Sequence, residues 1–163
     1  MKDQIALELD GPSPVRDAAA DAQRILRTLP PWFGVDSSLL QYAQDTERLP
    51  TFWAAERGRA IAFMTLREHF PTSWEVHCVA VQADARSRGV GRQLHRHGER
   101  WLLGQGARHL QVKTVAAGHP SPEYAETRSF YMALGYDELE VFPDFWRPGL
   151  PVLQLIKALN GAA

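Results

Sequence analysis

The stretch Val79-Ala-Val-Gln-Ala-Asp-Ala-Arg-Ser-Arg-Gly-Val-Gly-Arg92 constrains this chain more than any other. It reads as the end of an apolar strand, then a short basic turn with two glycines two apart, then the opening of an amphipathic helix. Three arginines against one aspartate leave the stretch locally positive. Gly89 and Gly91 remove side chains where the first N–H groups of a helix have no partner. Those groups, together with the helix dipole, favour a bound anion, typically a phosphate.

What is missing narrows the kind of cradle. No Gly-Lys-Ser/Thr is present, which argues against a P-loop with its phosphate lysine and magnesium hydroxyl. Leu94 stands where a dinucleotide fingerprint needs its third glycine, and the turn follows about the fourth strand instead of the first. A lone Gly-x-Gly before an ordinary helix would carry little by itself, so the rest of the chain has to decide.

The chain of 163 residues fits one domain spanning 1–163, and 45 % hydrophobic with 23 % charged residues gives no sign of disorder. A formal net charge of -1 argues against a dedicated nucleic-acid or anionic-membrane binder, so neither partner is expected. One cysteine, Cys78, excludes an internal disulfide and a multi-cysteine zinc site, and its strand position makes it a small buried hydrophobe. His95 and His97 lie two apart on a helix and face different ways, so no metal site is expected; with Arg96, Glu99 and Arg100 they read as a solvated face. The N-terminus has no long apolar run, and no stretch offers about 18 consecutive apolar residues. A cytoplasmic protein is the expectation.

Ile5, Leu7 and Leu9 alternate as a first strand, and Val15 to Leu29 has helical spacing stopped by Pro30-Pro31. Trp32 and Phe33 either wall a pocket or plug the first helix onto the sheet. A second helix runs from Asp36 to about Arg48, and strands 51–56 and 60–68 form a hairpin through Arg57-Gly58-Arg59. Strand 74–81 then places Glu75, His77, Val79 and Val81 on one face. The helix after the turn ends by Gly104 or Gly106, with Gly98 allowing close approach to the sheet. A strand at 109–115 follows, then a helix with Ser121 as N-cap, Pro122 at its first position and Gly135 as its stop. Strands at 136–142 and 150–157 close the chain, giving the order βααβββαβαββ and an α/β fold with helices on both faces of a sheet.

Two elements in this order are similar to one family. Arg86-x-x-Gly89-x-Gly91, followed by Arg92 and Leu94, resembles the acyl-CoA signature of the GNAT superfamily of N-acetyltransferases. Ser129-Phe-Tyr-Met-Ala-Leu-Gly-Tyr136, about 40 residues on, resembles that superfamily's Phe-Tyr-x-x-x-Gly-Phe/Tyr element. The resemblance implies the GNAT fold: a mixed, mostly antiparallel sheet of about seven strands with four helices, splayed between strands 74–81 and 109–115.

It also implies acetyl-CoA as co-substrate. Val79, Ala80 and Val81 then correspond to the strand end that pairs with the pantetheine arm. Arg86, Ser87, Arg88, Gly89, Val90, Gly91 and Arg92 correspond to the turn that holds the pyrophosphate. Tyr131 matches the general acid near the CoA sulfur, the alternative being a structural tyrosine on an apolar helix face. Glu75 and His77 both occupy positions that carry bases in some members, with Glu75 slightly favoured and structural hydrogen bonding as the alternative for either. Many members carry a pantetheine-binding asparagine where this chain has Tyr124, for which Ser121 or His119 are candidate substitutes. Lys113 stands where several N-terminal-acetylating members carry glutamate, which weakens a ribosomal-protein-type assignment.

The function implied is transfer of an acetyl group from acetyl-CoA to a primary amine, with a small molecule as the expected acceptor and a homodimer as the default assembly. Two alternatives stay open: a non-catalytic acyl-CoA sensor, and an enzyme acting on a protein or aminoacyl-tRNA amine. Trp32, Phe33, the second helix and the loop Asp144 to Arg147 would shape the acceptor site, and aromatics with Asp144 suit a small cationic amine.

Overall fold

The computed structural model describes residues 6–12, 17–30 and 36–160. The elements run β1 (Glu8–Asp10), α1 (Ala18–Arg27), α2 (Asp36–Asp45), β2 (Thr51–Glu56), β3 (Arg59–Phe70), β4 (Ser73–Val81), α3 (Val90–Gly104), β5 (His109–Val115), α4 (Pro122–Ala133), β6 (Asp137–Phe142) and β7 (Val152–Ala158). Ile5, Val15, Trp32 and Phe33 lie outside the described residues. Seven strands form one sheet in the order β1-β2-β3-β4-β5-β7-β6. The β4–β5 pair is parallel, while β1–β2, β2–β3, β5–β7 and β6–β7 are antiparallel. The expected mixed sheet and four helices are therefore present.

The contacts of the chain divide it into two units: residues 1–67 with 76–102, and residues 68–75 with 103–163. In the first, α1 and α2 bury Ala22, Ile25, Leu26 and Ala43 with Trp53, Phe63 and Cys78. The β2–β3 hairpin turns on Arg57 and Gly58, both at positive φ (51° and 73°), the backbone of a two-residue turn that follows strand twist. Gly98 on α3 does permit a close approach: a Cβ there would collide with the Met64 terminal methyl. α2 stops at Asp45, three residues before the sequence reading ends it. Thr46, Glu47 and Arg48 instead make tight i→i−3 bonds to Ala43, Gln44 and Asp45.

In the second unit β7 pairs with β5 over seven residues, from Val115↔Val152 to His109↔Ala158. The parallel β4–β5 ladder covers only Ser73 to Glu75 against His109 to Gln111, shorter than either strand. α4 ends in a Schellman turn: Gly135 has φ 94°, and the Tyr136 N–H reaches the Tyr131 carbonyl at 3.2 Å. Ser121 is the N-cap residue, but its hydroxyl donates to Glu123 Oε2 at 2.7 Å and accepts no capping bond from the backbone N–H groups of the helix start.

Candidate functional site

The turn after β4 is built by three constraints. The Gln82 N–H donates to the Ile61 carbonyl at 2.8 Å, a short 3-10 turn over Ala83–Ala85 buries Ala85, and α3 begins at Val90. Between them Ser87 and Gly89 take positive φ, 61° and 77°. For Ser87 this is a strained conformation, of order 1 kcal/mol, of the kind that collects at ligand sites. A Cβ on Gly89 would meet nothing within 4 Å, so open space faces this backbone. The first N–H groups of α3 lack helical partners by construction. Arg86 and Arg92 are exposed beside the turn, and Arg88, also exposed, pairs with Glu56.

α1 holds the entry to this turn. Arg24 donates from Nη1 to Gln82 Oε1 at 2.8 Å and from Nη2 to the Ala60 carbonyl at 2.8 Å, while also pairing with Asp21 at 3.0 Å. Thr28 Oγ1 accepts from the Ala83 N–H at 3.0 Å. Neither residue belongs to a motif, and only the packing of α1 reveals them.

β4 places the two ionisable candidates in different company. Glu75 is 8 % exposed. Its Oε2 accepts from Lys113 Nζ at 2.6 Å and its Oε1 lies 3.0 Å from His69 Nε2. Burial raises the Glu75 pKa, but the hydrogen bonds and charges of Lys113 and His69 outweigh it and hold the carboxyl below its ordinary value. Lys113 also reaches Gln111 Oε1 at 3.3 Å and lies 5.7 Å from the Phe145 ring centre. His77 is half-buried, with Nε2 2.8 Å from Asp45 Oδ2 and its ring 5.3 Å from that of Tyr42. Asp45 is 7 % exposed, and the sequence reading does not single it out.

Tyr131 is 3 % exposed and packs against the rings of Phe130 and Tyr136 at 5.1 and 5.2 Å. Tyr124 is half-buried, 6.1 Å from the His119 ring, and burial raises its pKa. His119 Nδ1 is buried without a hydrogen-bond partner, while the Ser121 hydroxyl is engaged by Glu123. In the β6–β7 loop, Phe145 and Trp146 are exposed at 54 % and 49 %, and Asp144 Oδ1 accepts from the Gly149 N–H at 2.9 Å. Cys78 is buried, as expected, and burial pushes its thiol pKa up, the charge of Asp45 adding to the effect.

The histidines of α3 correct the sequence reading. His95 is fully buried instead of solvent-facing, with Nδ1 3.0 Å from Glu99 Oε1 one turn along, and His97 stacks edge-on to Phe52. The helix turns His95 inward beside Leu94 and Gly98, where a polar-pattern reading cannot place it. Among the described residues no group of three His, Cys, Asp or Glu side chains could hold a metal ion, and no helix is long and apolar enough to cross a membrane.

Solved structures share this fold. An acetyltransferase of the GNAT family from Desulfovibrio desulfuricans superposes with a TM-score of 0.84 at 16% identity, over 95% of this chain and 100% of that one. The ribosomal-protein-S18-alanine N-acetyltransferase of Escherichia coli gives a TM-score of 0.74 at 19% identity, covering 97% of both chains. A Salmonella typhimurium acetyltransferase with its cofactor acetyl-CoA gives 0.69 at 15% identity, over 97% of this chain and 96% of that one. No curated protein matches the sequence. The description of the acetyltransferase (GNAT) family matches residues 19–136, well over half of the chain and inclusive of the glycine turn and Tyr131. This chain therefore belongs to the acetyltransferase (GNAT) family.

Proposed function

We propose that the protein is an acetyl-CoA-dependent N-acetyltransferase that moves the acetyl group onto a primary amine of a small-molecule acceptor. The observation that carries the reading is the turn Ser87 to Arg92: positive φ at Ser87 and Gly89, open space over Gly89, and a helix start in a member of this family. Such a turn suits a pyrophosphate. Its backbone N–H groups hold the anion, and Arg86 and Arg92 add charge. The strand end at Val79, Ala80 and Val81 receives the pantetheine arm, and Tyr124 stands at the chain position of the family's asparagine.

Acetyl-CoA supplies the thioester. The amine nitrogen bonds to the acetyl carbon as the carbon–sulfur bond breaks, and the electron pair leaves on sulfur. Tyr131 gives its phenolic proton to that sulfur, and a base takes the proton lost by the amine. Of the two candidates on β4, His77 is the better base. Glu75 is engaged by Lys113 and His69 and held ionised, so it would accept a proton only at a cost. His77 instead meets an acceptor, Asp45 Oδ2, at 2.8 Å. The Lys113–Glu75 pair and the exposed Phe145 and Trp146 support a small acceptor over a protein terminus.

The test is thiol release from acetyl-CoA across a panel of amines, with acetyl-CoA affinity measured by calorimetry. Wild type should bind and turn over, Gly89→Glu should lose binding, and Tyr131→Phe should bind while losing about 10²-fold in kcat. Binding without thiol release from any amine would favour an acyl-CoA sensor, and retained affinity in Gly89→Glu would end the cradle reading.

A further inference from the structure

The carboxylate beside His77 sits in an unusual place. Asp45 is the last residue of α2, where the helix dipole disfavours a negative charge. It is nonetheless buried, with partners on both carboxylate oxygens. Oδ1 accepts from Gln41 Nε2 at 2.9 Å and from Arg48 Nη2 at 3.0 Å, and Oδ2 lies 2.8 Å from His77 Nε2. Burial raises the Asp45 pKa, but the hydrogen bonds from His77 and Gln41 and the charges of His77 and Arg48 outweigh it and hold it below the ordinary value. An ionised carboxylate can only accept. The proton of the shared bond therefore sits on His77 Nε2, and in the neutral ring the lone pair is left on Nδ1. Tyr42, three residues before Asp45, packs its ring against the imidazole, with ring centres 5.3 Å apart.

The geometry points to Asp45 as the positioning residue of the reaction: it fixes His77 in the Nε2–H tautomer so that Nδ1 is the atom that receives the proton of the acceptor amine. This rests on the acetyltransferase reading for the role of His77, but the tautomer itself does not. Asp45 acts through His77 and touches no substrate. The arrangement uses the general device of a buried carboxylate orienting an imidazole, here supplied by a helix C-terminus to a neighbouring strand.

The experiment has two arms on the full chain. In the first, 15N-labelled imidazole NMR reads the neutral His77 tautomer, assigned with His77→Gln, and needs no acceptor. Wild type should show Nε2–H, and Asp45→Asn should lose that preference. Gln41→Ala and Arg48→Ala, which remove the other partners of Asp45, should keep it. In the second, the best amine of the panel is used for kinetics. Asp45→Asn should lower kcat about tenfold or more with the acetyl-CoA KM unchanged, and Asp45→Glu should restore part of the loss. An Nδ1–H tautomer in wild type overturns the proposal, even if Asp45→Asn fails to fold. So does an unchanged kcat in a folded Asp45→Asn that has lost the tautomer. Absence of thiol release by wild type with every amine would instead strike the acetyltransferase reading, leaving the tautomer measurement to decide the pairing by itself.

Discussion

Glu75 and His77 are two residues apart on one strand and point to the same side of it, yet the fold treats them oppositely. Around Glu75, β5 and the end of β3 supply Lys113 and His69, so the acid is surrounded by donors. Around His77, α2 supplies Asp45 and Tyr42, so the imidazole meets an acceptor and an aromatic face. A carboxylate among donors is stabilised in its charged form and made a poor base. An imidazole donating to a carboxylate is oriented and left with one basic nitrogen. Identical placement on a strand thus yields a structural ion pair in one case and a candidate base in the other.

The largest effect that could break this contrast is catalytic. His77→Ala should lower kcat about 10²-fold, whereas Glu75→Gln should change it less than about threefold. Amine-panel kinetics on the two variants would decide, and the reverse order would return the base to Glu75.

A smaller effect concerns stability. Glu75→Gln removes the ionic partner of Lys113, whose side chain is largely buried, and should cost about 2 kcal/mol in denaturant unfolding at pH 7. The folded pKa of Glu75 is lowered, so its contribution is complete above the unfolded carboxylate value near pH ~4.3 and is lost as pH falls through the folded value. The gap between wild type and Glu75→Gln should accordingly shrink in acid. A gap that stays constant with pH would mean that packing, not charge, is lost.

The smallest effect lies at the glycine turn in the unit that contains His77. Arg24→Ala removes the bonds from α1 to Gln82 and to the Ala60 carbonyl and should weaken acetyl-CoA binding by about 1 kcal/mol, roughly fivefold, with kcat little changed. Unaltered affinity would show that the turn holds its shape without α1.

Much of the fold was legible because the signals are local. The hydrophobic period marks α1 and α3, the Arg57-Gly58 pair marks the hairpin, and Gly135 marks the end of α4. Element ends were less legible: α2 stops at Asp45 because tight turns and Pro50 follow, a competition between hydrogen-bond patterns that residue spacing does not register. His95 was read as solvent-facing because its neighbours Arg96, Glu99 and Arg100 are charged, and only helix rotation against the sheet buries it.

The sequence by itself determined the strand, glycine turn and helix that place the chain in its family. Gly89, Gly91 and the Phe130-Tyr131 element are contiguous motifs whose backbone demands are written in the residues. Only the tertiary structure decided what surrounds the two ionisable residues of β4. Asp45 lies 32 positions from His77 and Lys113 lies 38 from Glu75. Such pairings come from helix and strand packing across the chain, and the protonation chemistry of a side chain is set by those neighbours rather than by its place in the sequence.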